Sequence, residues 1–230
     1  MTVLSGYIYT YIDSASIKHI SMIFLWLSVA SWAYFCLRQF VSMARIGLSK
    51  KKYPSSYDIP DYENIQKLVD RMGVKLDKKH PFILKLGLDN AYSDPVMRRV
   101  FLGDTLLGKL ETQERMALIS HELTHLKENH NLKRILPLFI FYIPLVFTLR
   151  REQDLVFGVV WIALFMILLP YVSRRFEYKA DARAVDETSP EANISLLKKV
   201  EAEERWDYET VTHPSIQSRI DRIEKRLKRQ

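Results

Sequence analysis

The residues with chemistry to offer crowd into one short run, ISHELTHLKENH, which holds His121, Glu122 and His125 in the spacing His-Glu-x-x-His. On a helix, residues four apart share a face, so both imidazoles can reach one metal ion. Glu122, one step round the helix, can lie beside a water molecule and take its proton. Zinc that hydrolyses a peptide bond near neutral pH needs neutral imidazoles, an open coordination position and a nearby base. The run supplies all of this except a third protein ligand. The bland alternative is a solvated helix face that carries two histidines and a glutamate by chance. Met116, Ala117, Leu118, Ile119 and Leu123 surround the motif with no Gly or Pro among them, and an apolar, uninterrupted helix is the context that favours the metal.

The third ligand must come from elsewhere in the chain. The metzincin spacing would put glycine at 128 and histidine at 131, and Glu128 and Asn131 stand there instead, which excludes that class. His130, five residues past His125, points off the ligand face. Glu152 and Asp154 fall in a polar turn between two apolar runs, a membrane thickness away. In RRFEYKADARAVD, Glu177 and Asp181 are four apart and share a helical face. Glu177 as ligand with Asp181 orienting an imidazole is one economical solution. A solvated helix with internal charge pairs accounts for that spacing equally well.

The elements that must carry these residues read as an α+β fold, mostly helical, with a small sheet. Asp61 can cap a helix with Ile65, Leu68, Val69 and Met72 at helical spacing, ended by Gly73. PFILKLGL (81–88) and VMRRVFL (96–102) read as strands around the turn-rich DNAYSDP. The absence of Gly and Pro predicts one long helix over 109–136. Ser189-Pro190 is an N-cap followed by proline at the first helical position, opening a helix to about Glu204. Ile216, Ile220, Ile223 and Leu227 put an apolar stripe on a basic C-terminal helix.

Three uncharged or nearly uncharged runs interrupt this aqueous material: Ile20–Leu37, Ile135–Leu149 and Leu155–Val172. The first would rise about 27 Å as a helix, close to the hydrocarbon thickness of a bilayer. The other two are joined only by RREQD and predict a helical hairpin. The expected organisation is an extracytoplasmic segment 1–19, a transmembrane helix 20–42, a first catalytic part 43–134 with the His-Glu-x-x-His helix, a transmembrane hairpin 135–172, and a second catalytic part 173–230. The formal net charge is +7, and many of the basic residues flank the runs: Arg45, Lys50, Lys51, Lys52, Lys133, Arg134, Arg174 and Arg175. They predict an integral protein of the cell's inner membrane with a cytoplasmic catalytic side. The lipid bilayer is thus an expected partner, and no nucleic-acid signature accompanies the charge. The single cysteine, Cys36, excludes an intrachain disulfide.

Taken together, HELTH, an apolar hairpin, Glu177-x-x-x-Asp181 and then THPS…RI at 212–220 resemble the HtpX-like integral-membrane gluzincin proteases, the family that includes the type I CaaX prenyl endopeptidases. The resemblance runs from about residue 60 to the C-terminus. DNAYS (89–93) and GDTLL (103–107) look like its substrate-side edge segment and the turn before its active-site helix. The resemblance implies one zinc ion per chain held by His121, His125 and Glu177, with Glu122 as base and Asp181 supporting the site. It implies that His213 and Arg219 stand near the developing oxyanion, and that Asn90 and Ala91 belong to the strand that binds substrate backbone. The implied activity is endopeptidase cleavage of polypeptides, either membrane-associated or misfolded ones, or a narrow class of prenyl-peptide or precursor substrates. A membrane adaptor that keeps a structural metal is the non-enzymatic alternative, and Glu122 argues against it, since a structural site has no use for a base.

Overall fold

Two glycines fix the boundaries of the part of the chain that carries the motif, in a computed structural model that describes residues 59–130, 133–134, 155–203 and 213–229. Gly73 ends helix α1 (Tyr62–Met72) in the left-handed conformation, with φ of 64°, a backbone state that glycine adopts without steric cost. Gly103 ends strand β3 (Arg99–Gly103) and opens helix α2 (Asp104–Lys109). A Cβ there would lie 1.9 Å from the Leu88 carbonyl oxygen, so only glycine lets the 88–90 backbone cross it. Its N–H donates to the Asn90 carbonyl at 2.9 Å.

With strands β1 (Phe82–Lys85) and β2 (Ala91–Asp94), β3 makes a three-stranded mixed sheet in the order β1-β3-β2. β1 runs parallel to β3, and β2 antiparallel to it, with Ala91 opposite Leu102 and Ser93 opposite Val100. The expected strands at 81–88 and 96–102 are therefore shorter, and the turn-rich stretch between them contains a strand of its own. Asp89-Asn90 and Asp94-Pro95 are turn formers, but they bracket four residues that alternate between buried and less buried positions, and such a short strand is hidden when propensity is averaged across the stretch.

The sheet and α1 pack on helix α3 (Thr112–Lys127), which also receives helix α5 (Pro190–Glu203). α3 is buried nearly all round from Met116 to Leu126, as expected of a helix at the centre of its layer rather than at the surface. Here the structure corrects the single long helix expected over 109–136. Leu110 adopts an extended conformation, and a reciprocal capping box of Glu111 and Glu114 starts α3 afresh. At the other end the helix stops at Lys127, and Asn129 takes φ of 53°. Asp61 occupies the N-cap position of α1, but its side chain makes no capping bond. Its carboxylate accepts from Arg115 Nε and Nη2 at 2.9 and 2.6 Å, tying the start of α1 to α3. Glu114, buried in α3, accepts from Ser195 and Lys199 of α5, both at 2.6 Å.

Helix α4 (Leu155–Glu187) is 33 residues long and carries both the third apolar run and Glu177 and Asp181. The chain divides into two units: residues 1–52 with 137–167, and residues 53–136 with 168–230. Every element named above, the second half of α4, and helices α5 and α6 (Ile216–Leu227) belong to the second unit. Ser189 caps α5 as the sequence implies, accepting from the Ala192 N–H at 3.1 Å. In α6 the expected stripe is shortened: Ile216, Ile220 and Ile223 are buried, while Leu227 is exposed. Among the described residues no helix is long and apolar enough to cross a membrane. The runs expected to span at 20–37 and 135–149 lie outside the described residues. The third run, 155–172, is helical as part of α4, and Val160, Leu164, Met166, Ile167, Leu168 and Tyr171 are exposed on it.

Candidate metal centre

His121 and His125 lie one turn apart on α3, and the structure brings Glu177 of α4 against both. His121 Nε2 and His125 Nε2 are 3.0 Å apart, and they lie 3.4 and 3.5 Å from the two Glu177 carboxylate oxygens respectively. All three side chains are buried, and they form the group of potential metal ligands found among the described residues. Tetrahedral ligands each about 2.0–2.1 Å from zinc stand about 3.3 Å from one another. The observed spacings scatter around that value, and two imidazoles with a carboxylate make a donor set suited to zinc, so these residues fit the ion.

Each donor is held from behind. Asp181, one turn beyond Glu177 on α4, accepts from His121 Nδ1 at 2.9 Å, which leaves Nε2 free to face the centre. Asp181 is itself gripped by Arg219 of α6 through two bonds of 2.8 and 2.5 Å. Glu177 meets His213 Nδ1 at 3.2 Å and the Arg134 guanidinium. His125 Nδ1 lies 2.9 Å from His130 Nδ1, and His130 Nε2 lies 3.2 Å from Glu128 Oε2. The His130 ring is fully buried and stacks on Phe176, centroids 4.4 Å apart and planes within 9°. The sequence puts His130 off the ligand face, and it is not one of the three converging donors. It nevertheless reaches the far side of His125, because the backbone turns at Asn129 after the helix has ended.

The electrostatics follow from burial opposed by partners. Burial works against a charge on His121, but hydrogen bonds to Asp181 and Glu177 outweigh it and push the imidazole up to about 10. Burial and the neighbouring His121 charge hold His125 well below the usual histidine range. Burial brings His130 down to about 4 against the pull of Glu128. Glu122 is raised to about 7, mainly by burial, with the Glu177 charge adding to it and His121, a Ser93 hydrogen bond and His213 opposing. Burial would raise Glu177 and Asp181 as well. Hydrogen bonds from His121 and His213 hold Glu177 far below the usual carboxylate range, and the Arg219 guanidinium does the same for Asp181.

The structure thus gathers His121, His125, Glu177, Asp181, Arg219 and His213 into one constellation, with Glu122 beside it. Asn90 and Ala91 are not in this cluster. They stand at the start of β2, where Asn90 Oδ1 accepts from the Ala91 N–H at 2.7 Å. β2 packs on α3, and its Ser93 reaches Glu122. Sequence alone assigns no role at this centre to Ser93, Arg134 or His130, although Ser93 lies in the DNAYS segment marked by the family resemblance. Ser93 sits inside a turn-rich stretch, and Arg134 reads as a flank of an apolar run. Only His130 carried a local signal, its nearness to His125.

The model of peptidase family M48 matches residues 62–227. The CAAX prenyl protease 1 homolog of Dictyostelium discoideum is 29% identical, over 54% of this chain and 36% of that protein. The crystal structure of S. mikatae Ste24p superposes with a TM-score of 0.58 at 18% identity, covering 95% of this chain and 64% of that one. At that identity the likeness is one of fold. The chain spans about a third of the curated relative and under two thirds of the solved one.

Proposed function

The chain belongs to peptidase family M48, a family of metalloendopeptidases, and from that premise we propose that it is a membrane-embedded, zinc-dependent endopeptidase. The observation that carries the reading is the buried triangle of His121, His125 and Glu177, with donor spacings of 3.0, 3.4 and 3.5 Å and a carboxylate, Glu122, next to His121. Zinc held by these three residues would acidify a water molecule and polarise the carbonyl of the scissile bond. Glu122 takes the proton of the attacking water and returns it to the leaving amine. Burial raises its carboxyl to about 7 in the metal-free site, away from the strongly acidic range and toward that of a general base. Ser93 steadies its carboxylate. Asp181 and Arg219 keep the His121 ring in the tautomer and orientation that present Nε2. His213, against Glu177 and more than half exposed, is positioned to donate to the oxyanion of the tetrahedral intermediate. The substrate lies extended along β2 near Asn90 and Ala91, adding to the sheet by backbone pairing. Such pairing tolerates many sequences and suits membrane-associated or misfolded polypeptides. The exposed apolar residues of α4 support a helix in lipid, and the basic residues flanking the apolar runs support a cytoplasmic catalytic side.

A narrower reading, a processing protease for prenylated peptides, is favoured by the likeness to a CAAX prenyl protease 1 homolog. Cleavage of a prenylated peptide with no cleavage of its unprenylated twin would select it. The primary test is Glu122→Gln in detergent-solubilised protein. Zinc content should stay at one per chain while casein cleavage disappears. Residual cleavage near the wild-type rate in a clean preparation would remove Glu122 as base.

A further inference from the structure

The two ligand imidazoles are backed differently. His121 leans directly on a carboxylate, Asp181, which is held by a cation, Arg219. The atom behind His125 is the nitrogen of another imidazole. His125 Nδ1 and His130 Nδ1 are 2.9 Å apart, and a contact that short between ring nitrogens holds one proton, with one ring donating and the other accepting. Which ring donates follows from the other side of His125. Its Nε2 faces His121 Nε2 and Glu177 and must offer a lone pair to bind a metal, so its proton sits on Nδ1 and His130 Nδ1 accepts it. The His130 proton is then on Nε2, where Glu128 Oε2 lies at 3.2 Å. Lys179 of α4 closes the chain on the same Glu128 oxygen at 2.5 Å.

We infer that His130 is a positioning residue for the metal ligand His125, with Lys179, Glu128, His130 and His125 forming a relay that parallels the Arg219–Asp181–His121 chain. The inference rests on the reading of His125 as a zinc ligand. A metal-ligating histidine is oriented and made more basic by the acceptor behind it, and an imidazole whose own N–H points at a carboxylate is a better acceptor than an isolated one. The burial of His130 and its stack on Phe176 hold the ring against His125. They also bind the end of α3 to the stretch of α4 that delivers Glu177, the residue after Phe176. Both supports therefore join α3, with its histidines, to a cation on another element.

The ring could instead be there only for packing, and two substitutions separate the roles. His130→Asn keeps an acceptor near the Nδ1 position and removes the ring. His130→Phe keeps the ring and its stack on Phe176 and removes the acceptor. Zinc affinity is measured on the full chain in detergent by competition with a chelator, alongside thermal unfolding of the zinc-free protein. The relay predicts that the Phe variant loses zinc affinity about 10- to 100-fold while the Asn variant stays within a few-fold of wild type, whatever their unfolding temperatures. Phe at wild-type affinity, or both variants falling alike, overturns it. Should the Phe variant fail to fold, nitrogen NMR of histidine-labelled, zinc-loaded wild type decides. His130 protonated on Nε2 alone supports the relay, and a proton on its Nδ1 overturns it. His125→Ala is the control on the premise: zinc retained there defeats the ligand reading, whereas a failure confined to His130 leaves it standing.

Discussion

Asp181 faces two ways, and replacing it should separate metal affinity from fold stability. It accepts from His121 Nδ1 at 2.9 Å and receives two bonds from Arg219. Asn at this position keeps an oxygen for His121 and loses the charge. A hydrogen bond to a charged group is worth about 1.5–3 kcal/mol against about 1 kcal/mol for a neutral one. The difference, about 0.5–2 kcal/mol, corresponds to about a 2- to 30-fold loss of zinc affinity in Asp181→Asn. Asp181→Ala removes the acceptor altogether and should approach the hundredfold end of such effects. Stability responds to the other partner. Arg219 is largely buried, its side chain 15% exposed, and without Asp181 its charge loses its main partner. Breaking a buried pair costs about 3–5 kcal/mol, and partial exposure argues for the lower end. Removing Arg219 as well should recover part of that loss, while zinc affinity stays down because His121 remains unsupported. The assay is chelator competition for zinc, with denaturant unfolding of the metal-free protein, on Asp181→Asn, Asp181→Ala, Arg219→Ala and the Asp181→Ala/Arg219→Ala double variant. Wild-type zinc affinity in Asp181→Ala, with stability alone reduced, would refute the orienting role and leave Asp181 as no more than a counterion.

Other outcomes follow from the same geometry. His213→Ala should slow peptide hydrolysis about 10²- to 10³-fold, as loss of one oxyanion donor does, with zinc still bound; zinc loss would make His213 a ligand instead. Gly103→Ala should lower thermal stability by about 1–3 kcal/mol, because its methyl group meets the backbone of Leu88 and Asn90. Gly108→Ala, in α2 with open space at the same position, should stabilise slightly, by about 0.5–1 kcal/mol; equal effects at the two glycines would contradict the crossing described. In sealed vesicles, protease should reach residues 43–134 from the cytoplasmic face, and degradation only from the outer face would reverse the proposed orientation.

The parts of this molecule legible in the sequence are those encoded by short spacing. His121 and His125 share a helical face because α3 is regular between them. Glu177 and Asp181 share one for the same reason, but spacing alone does not distinguish a ligand pair from a solvated face, and only the passage of α4 beside α3 does. The terminators Gly73 and Ser189-Pro190 act within one turn and were readable. What stayed hidden depends on neighbours far along the chain or on breaks in regularity. Nothing local shows that Ser93 faces Glu122, or that Arg134 reaches Glu177. His130 lies off the ligand face, as its spacing implies, but its place behind His125 is not legible, because a continuous helix to 136 would carry it away, whereas the left-handed Asn129 turns it back. Residue pattern alone hides β2 behind the turn residues that bracket it, although the family resemblance implies a strand at Asn90 and Ala91, and the break at Leu110 lies in a stretch that contains no Gly or Pro.

The central claim is that His121, His125 and Glu177 hold one zinc ion. X-ray absorption at the zinc edge of the purified full chain, compared with Glu177→Ala, tests it most directly. The account predicts one zinc per chain bound by two imidazoles and by oxygen, with no sulfur, and a sharp fall in zinc content in Glu177→Ala. A sulfur neighbour, or a zinc spectrum and content unchanged by Glu177→Ala, would contradict it.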